Sequence, residues 1–315
     1  MAYAVRYSRY GGPEVLTLEQ EEAPEPGPEQ VRVAVRAVGV NPADWKIRSG
    51  AFSADASQPP QRPQGTGLDL AGTVEATGAG ATGWNVGQAV FGKAQGGAAA
   101  THALAPTDSL MAKPDWLSFE LAAALPIPAE TAYRTLGLLG VGAEEGTTVL
   151  VHAVAGGVGL IAAQLARARG ARVIGTASTR HHDFLRELGV EPLTYGEGLE
   201  DRLREAAPKG VDAVLDASGR GVLAISVELA GTADQVITIA DPAAAEHGVR
   251  FSGGGDDRAP LEEVFAEVLP LIEQGRLHLP IERTFPLEQT AQAQRFSEEG
   301  HLRGKIVLTV GDQAG

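Results

Sequence analysis

Hydrophobic positions in the first third of the chain come in short runs with a period near two. Ala2–Tyr7 and Leu16–Glu19 read as strands, and Gln30–Val40 (QVRVAVRAVGV) alternates as a half-buried strand does. Leu70–Thr77 and Ala89–Phe91 are further short strands set off by glycine turns, and APEPGPEQ is a proline-rich turn that a helix cannot cross. Short strands with this punctuation predict a small, barrel-like β domain. Among them lies NPADWKIRSG (Asn41–Gly50), a turn-prone segment that gathers an amide, a carboxylate, an indole and two cations.

The period changes near Ser118. SFELAAALPIPAETAYRTLGLLG has a helical pattern on both sides of an expected break at Pro126 and Pro128. From Thr147 to about Gly255, continuous apolar strands (TVLVHA, ARVIGTA, EPLTY, VDAVLDA, QVITIA) alternate with helical segments, which predicts a parallel sheet covered on both faces. The remainder drops this rhythm. An amphipathic helix (APLEEVFAEVLPLIEQGRL), a strand and helix within ERTFPLEQTAQAQRFSEEG, and a closing strand GKIVLTV read as a return to the first domain. The expected domains are residues 1–118 with 270–315, and residues 119–269.

Composition narrows the function. A chain of 315 residues with 43 % hydrophobic content can bury two ordinary cores. A net charge of −14 opposes nucleic acid and anionic membranes, which require basic surfaces. The absence of cysteine removes disulfides, zinc–thiolate sites and a thiol nucleophile. The opening MAYAVRYSRYGG lacks the apolar run of a signal peptide, and no stretch is long and apolar enough to span a bilayer, so a cytoplasmic protein is the expectation.

The strongest chemical signal follows the first strand of the alternating block. Thr147–His152 runs into Ala153-Val154-Ala155-Gly156-Gly157-Val158-Gly159 and then a helix, which sets Ala153, Gly156 and Gly159 at the spacing A-x-x-G-x-x-G. A strand, a loop of small residues and a helix N-terminus leave main-chain amides free to bind a pyrophosphate. Its place at the head of a βαβ rhythm makes this more than a lone glycine triplet. An NAD-binding protein usually ends its next strand with Asp or Glu; here Ala177 takes that place. Ser178 and Arg180 instead offer a hydroxyl and a cation to a 2′-phosphate, which favours NADPH, although Arg180 could also simply begin the next helix. Tyr195, at the end of the following strand, reads either as adenosine lining or as an ordinary half-buried tyrosine.

Taken in order, the β domain, GVNPADWKIRSG, GLDLAGTVEATG, the pair AALP…TAY, VLVHAVAGGVGLIAAQLA and HLRGKIVL resemble the zinc-independent quinone and enone oxidoreductases of the medium-chain dehydrogenase/reductase superfamily. The resemblance covers essentially the whole chain. It implies an α/β fold, a GroES-like β-rich catalytic domain plus a Rossmann doubly wound parallel-sheet domain, and a homodimer. It points to Thr131 and to the backbone around Ile239 at the nicotinamide. In the zinc branch, the metal-ligand positions correspond here to Asn41, Leu68 (followed by Asp69) and the neighbourhood of Ile127, and Leu and Ile ligate nothing.

The reactions that remain deliver hydride to a quinone or to a carbon–carbon double bond conjugated to a carbonyl, so a small-molecule quinone or enone is the expected partner. Negative charge gathers on the carbonyl oxygen, where a preorganised donor lowers the barrier. Many quinone reductases of this type carry tyrosine at the position of Lys46, whereas plant alkenal and enone reductases carry a motif closer to N-P-x-D-F-K. On that resemblance Asn41 orients the substrate or the nicotinamide ribose, Lys46 donates to the carbonyl and Trp45 forms an apolar wall. Asp44 reads as a structural turn residue, and a loop lysine such as Lys46 reads equally as a solvated side chain. Lys305, with His301 and Arg303, is expected either at the cofactor or on a solvated edge. An enoyl reductase of secondary metabolism and a non-catalytic NADP(H)-binding protein are the alternative readings.

Overall fold

The computed structural model describes residues 1–144 and 146–311 of the chain. It divides into two compact units, Met1–Ile127 together with the segment from Pro280 onward, and Pro128–Leu279. The first unit opens with β1 (Ala2–Tyr7), β2 (Thr17–Glu21), β3 (Gln30–Val40), helix α1 (Pro42–Arg48), β4 (Gln64–Gly65), β5 (Asp69–Thr77), β6 (Ala89–Lys93), β7 (His102–Pro106), β8 (Leu110–Ala112) and helix α2 (Phe119–Ala124). Helix α3 (Pro126–Leu138) leads into the second unit, which holds β9 (Thr148–His152), α4 (Gly157–Ala168), β10 (Arg172–Ala177), α5 (His182–Glu187), β11 (Glu191–Thr194), α6 (Leu199–Ala206), β12 (Ala213–Asp216), α7 (Leu223–Ala230), β13 (Val236–Thr238), β14 (Arg250–Phe251) and α8 (Leu261–Glu273). The chain then returns to the first unit with β15 (Ile281–Pro286), α9 (Thr290–Glu299) and β16 (Lys305–Thr309).

Among the described residues the first unit has a small sheet, ordered β2-β1-β4, and a larger one, ordered β15-β16-β3-β5-β6-β8, with β7 also paired to β3. The alternating residues of β3 bury Val31, Val33, Val35 and Val38 against Leu70, Val74, Val90, Phe285 and Leu308. Each such side chain contributes roughly 1.5–3 kcal/mol on burial. The far end of β3 is buried on both faces because α2 packs onto it. Close approach is possible because the helix presents Ala122, Ala123 and Ala124 and the strand presents Gly39, where a Cβ would lie 2.2 Å from the Ala123 carbonyl oxygen. This packing carries the first unit past the expected boundary at residue 118 to Ile127, and the second runs on to Leu279 rather than 269.

Two local expectations are revised. The helical stretch breaks once, at Leu125, and Pro126 and Pro128 lie in the first turn of α3, where a missing N–H costs nothing. The segment Asn41–Gly50 holds helix α1, Pro42–Arg48, rather than a loop: Asn41 is its extended N-cap, Pro42 sits at the first helical position, and the Asp44 carboxylate reaches back to accept the Asn41 N–H at 2.8 Å.

In the second unit a wholly parallel sheet runs β11-β10-β9-β12-β13-β14. Strand order therefore reverses between β9 and β12, the point at which doubly wound sheets open a crevice beyond the carboxyl ends of their strands. Leu150, Ile174, Val214, Leu223 and Val236 form part of its core.

Candidate functional site

In the second unit, residues singled out by sequence follow the carboxyl ends of strands of the one parallel sheet. Tyr195 follows β11, Ser178 and Arg180 follow β10, Ala153–Gly159 follow β9, and Ile239 follows β13. The glycine loop leaves β9 through Ala153, whose φ of 56° lies in the left-handed region. The Gly156 N–H donates to the Ala153 carbonyl at 3.0 Å, and the Leu160 N–H to the Gly156 carbonyl at 2.8 Å begins α4. The amides of Gly157, Val158 and Gly159 occupy the first positions of a helix, where no intrahelical acceptor exists. Gly159 is sterically required: a Cβ there would lie 2.5 Å from the Ala153 oxygen and 2.7 Å from the Val154 Cα. At Gly175, a Cβ would meet the Val154 side chain at 2.5 Å.

Polar residues that the sequence reading passed over hold this loop in place. Thr176 Oγ1 accepts the Ala153 N–H at 3.2 Å, and the Thr176 carbonyl accepts the Val154 N–H at 3.0 Å. His152 lies 3.2 Å from Thr176 Oγ1 through Nδ1 and 3.2 Å from Ser226 Oγ through Nε2. Complete burial holds its imidazole down at about 4, against the pull of Asp216, so it is neutral near neutral pH. The buried Asp216 carboxylate, at the end of β12, accepts from the Ser218 N–H (2.8 Å), the Ser218 hydroxyl (2.6 Å) and the Thr238 hydroxyl (2.8 Å). Its carbonyl accepts the Ile239 N–H at 2.9 Å, which fixes the turn after β13. Only a buried aspartate at a strand end could have signalled this from the sequence.

The Ser178 hydroxyl oxygen is shielded and has no hydrogen-bond partner among the described residues. Arg180 is exposed, with Nε donating to His181 Nε2 at 3.2 Å. Tyr195 is exposed and Ile239 half-buried. Thr131 is buried on α3, where its carbonyl accepts the Thr135 hydroxyl at 2.7 Å.

The first unit gathers a buried polar cluster at the junction of β3 and α1. Asn41 Nδ2 donates to Asp69 Oδ2 at 2.9 Å, and Asn41 Oδ1 accepts from Lys305 Nζ at 2.6 Å. Lys305 Nζ also donates to the Val40 carbonyl at 2.6 Å. The Ile127 N–H donates to both Asp69 oxygens, at 3.2 and 3.1 Å. Asn41, Asp69 and the Ile127 amide are thus joined in one hydrogen-bonded cluster. Lys305, expected at the cofactor or a solvated edge, is buried inside this unit because β16 pairs with β3 and points its ammonium at the end of that strand.

Burial pushes the Asp44 carboxyl up to about 7, with the nearby Asp69 charge adding to the rise while the Asn41 N–H and Lys305 oppose it. Burial likewise raises Asp69 to about 6 against the pull of Lys305 and Asn41, and draws the Lys305 ammonium below its ordinary range. The second Asp44 oxygen, Oδ1, has no hydrogen-bond partner among the described residues.

Trp45 and Lys46 are half-buried on α1. The indole N–H donates to Ser297 Oγ at 3.2 Å, and the Lys46 ammonium lies 5.8 Å from the indole ring centroid. At the other end of α1, Arg48 is buried, with its guanidinium on the Gly11 carbonyl, on Gln294 Oε1 and on Glu298. The described residues include no cluster of three or more His, Cys, Asp or Glu side chains able to hold a metal, and no helix long and apolar enough to cross a membrane.

Comparison with known proteins supplies the context. Residues 27–115 match the alcohol dehydrogenase GroES-like domain, and residues 188–308 match the zinc-binding dehydrogenase family. The quinone oxidoreductase of Lama guanicoe is 33 % identical, over 97 % of this chain and 96 % of its own length. The spectinabilin polyketide synthase system protein NorB of Streptomyces orinoci is 37 % identical over 94 % of this chain, which spans 14 % of that much longer protein. The structure of Escherichia coli quinone oxidoreductase complexed with NADPH superposes with a TM-score of 0.84 at 26 % identity, covering 98 % of this chain and 99 % of the other.

Proposed function

The chain belongs to the quinone oxidoreductases of the medium-chain dehydrogenase/reductase superfamily, and from that premise we propose that it is an NADPH-dependent, zinc-independent reductase of quinones or α,β-unsaturated carbonyls. The observation that carries this reading is the strand–loop–helix cradle at Ala153–Gly159, where the contact a Cβ would make at Gly159 leaves only a bare backbone. The oxidoreductase class rests on the quinone oxidoreductase relatives, and NADPH on the complexed neighbour.

Reduced nicotinamide supplies the hydride when bound. The amides of Gly157, Val158 and Gly159 would hold the diphosphate, and Ala153 and Gly156 shape the turn around it. The shielded Ser178 hydroxyl and the Arg180 guanidinium would take a 2′-phosphate, with Tyr195 beside the adenosine. Thr131 and the backbone at Ile239 would serve the nicotinamide end. Lys46 would place a positive donor where the substrate oxygen gathers charge, with Trp45 as an apolar wall and Asn41 as the fixed amide behind them.

Zinc does not fit the residues at the corresponding place. Asn41 already has its carbonyl oxygen on an ammonium, Asp69 is spent on Asn41 and Ile127, and Leu68 has no donor atom. The reaction is therefore derived without a Lewis acid. A second reading shares the chemistry: reduction of an enoyl thioester, favoured by the identity to a segment of a polyketide synthase protein. In either case we picture a cytoplasmic homodimer.

The test mixes the protein with NADPH or NADH and, separately, 1,4-benzoquinone, a 2-alkenal, a cyclic enone and an enoyl thioester, and follows nicotinamide absorbance. The reading expects NADPH to be consumed in preference to NADH with at least one acceptor. Faster use of NADH would defeat the Ser178 and Arg180 assignment, and binding of neither cofactor by fluorescence would defeat the reading as a whole.

A further inference from the structure

We propose that Lys305 is a positioning residue for this reaction: by clamping the Asn41 amide it anchors the amino-terminal end of the helix that carries Trp45 and Lys46. The inference rests on the reductase reading for its consequence, though not for the anchoring itself.

Helix α1 has seven residues, too few to hold its own shape in water. It depends on its two ends. Arg48 fastens the carboxyl end to Gly11, Gln294 and Glu298. The amino end depends on Asn41, and an asparagine amide fixes a geometry only if it is held in one of its two flipped states. Here Oδ1 faces an ammonium, which can only donate, and Nδ2 faces a carboxylate of Asp69. Flipping the amide would oppose donor to donor at Lys305 and acceptor to acceptor at Asp69.

The clamp stands on a rigid base. Lys305 opens β16, which runs antiparallel to β3 with Ile306 opposite Val40. Its ammonium therefore meets the Val40 carbonyl and the Asn41 side chain together, at the point where the strand becomes helix. Burying an ammonium costs several kcal/mol before its bonds are counted, and an apolar side chain could fill the same space without that cost. A residue kept at such expense beside the helix cap is explained by the geometry it imposes.

Four proteins test this: wild type, Lys305→Met, Lys46→Met and the double variant. Turnover with NADPH and 1,4-benzoquinone, NADPH affinity by fluorescence, and hydrogen–deuterium exchange over residues 41–50 are measured on each. Lys305→Met is expected to lower kcat on the order of 10- to 100-fold, the usual consequence of a misplaced reacting group, and to leave the Kd for NADPH unchanged. Exchange over 41–50 should quicken, and the double variant should turn over no more slowly than Lys46→Met. A raised Kd with kcat intact would place Lys305 on the cofactor and overturn the proposal, as would additive losses or unchanged exchange. If Lys305→Met does not fold, Lys305→Arg, which keeps the charge but shifts its reach, is read by the same criteria. Wild type that consumes no NADPH would defeat the reductase reading, and the exchange measurement would then decide the anchoring alone.

Discussion

Arg48 and Gln294 lie 246 positions apart in sequence and share a 2.6 Å hydrogen bond in the interior of the first unit. The same guanidinium bonds Glu298, on the same helix α9, and the Gly11 carbonyl. Replacing it leaves a buried amide and a half-buried carboxylate without their cation. Arg48→Met is expected to lower stability by about 3 kcal/mol, read as the urea midpoint at unchanged m value. A loss below about 0.5 kcal/mol, the level of an ordinary surface substitution, would show that the clamp is unimportant.

Gly159→Ala should be more damaging to binding than its single methyl group suggests. The new Cβ would meet backbone atoms at 2.5 and 2.7 Å, and backbone cannot rotate away. Repacking of this kind costs about 1–3 kcal/mol of stability. The helix must also lift from β9, which moves the amides that would hold the diphosphate. NADPH affinity by fluorescence titration should fall at least about tenfold, equivalent to about 1.4 kcal/mol. Gly156→Ala is the comparison, because its Cβ stands at a comfortable 3.4 Å from the Ala153 oxygen and should cost little stability.

Asp44 sets a pH signature. Its folded pKa of about 7 lies above the unfolded value near 3.8, so the folded state holds the extra proton between those limits. Its contribution is fully present below the unfolded pKa and is lost as pH rises through the folded one. Asp44→Asn lacks that loss. Its stability relative to wild type should improve by about 1.4 kcal/mol per pH unit from about 4 to 7 and then level off, measured by urea denaturation across that range. A difference that does not vary with pH would mean that Asp44 ionises normally.

His152 has the opposite sign. Its folded pKa of about 4 lies below the unfolded 6.5, so the unfolded state binds the extra proton in between. Stability from this group is complete above 6.5 and drains away as pH falls toward 4. His152→Gln should remove that acid-side loss, and its difference from wild type should change across the same window at about 1.4 kcal/mol per unit. A pH-independent difference would indicate an imidazole that titrates alike in the folded and unfolded states.

Much of the architecture was legible because it follows from periodicity and backbone chemistry. The alternation of β3 and the apolar runs of β9, β10 and β12 give strands directly, and the small residues from Ala153 to Gly159 mark the turn that only they can make. The helix at Pro42–Arg48 was missed because its stability is tertiary: Asn41 and Arg48 are held by residues some 250 positions away, which no local pattern displays. Lys305 was misleading for the same reason. A lysine at the start of a strand reads as a cofactor contact or a solvated edge, and only the pairing of β16 with β3 turns it inward. His152 and Asp216 were invisible as a framework because their partners, Thr176, Ser226 and Thr238, are ordinary hydroxyl residues until the parallel register aligns the strand ends and α7 brings Ser226 against His152.

The placement of β16 against β3 also bears on the order in which the molecule is built. During synthesis, β3 and the Asn41 cap emerge early, but their edge partner and their counter-charge leave the ribosome only after the whole of the second unit. Until then the nascent amino-terminal lobe carries an unpaired strand edge and an Asn41 cap without the ammonium that clamps it. A ribosome stalled before residue 281 would hold a second lobe complete in sequence beside an aggregation-prone first, and that interval is where a chaperone would find its grip.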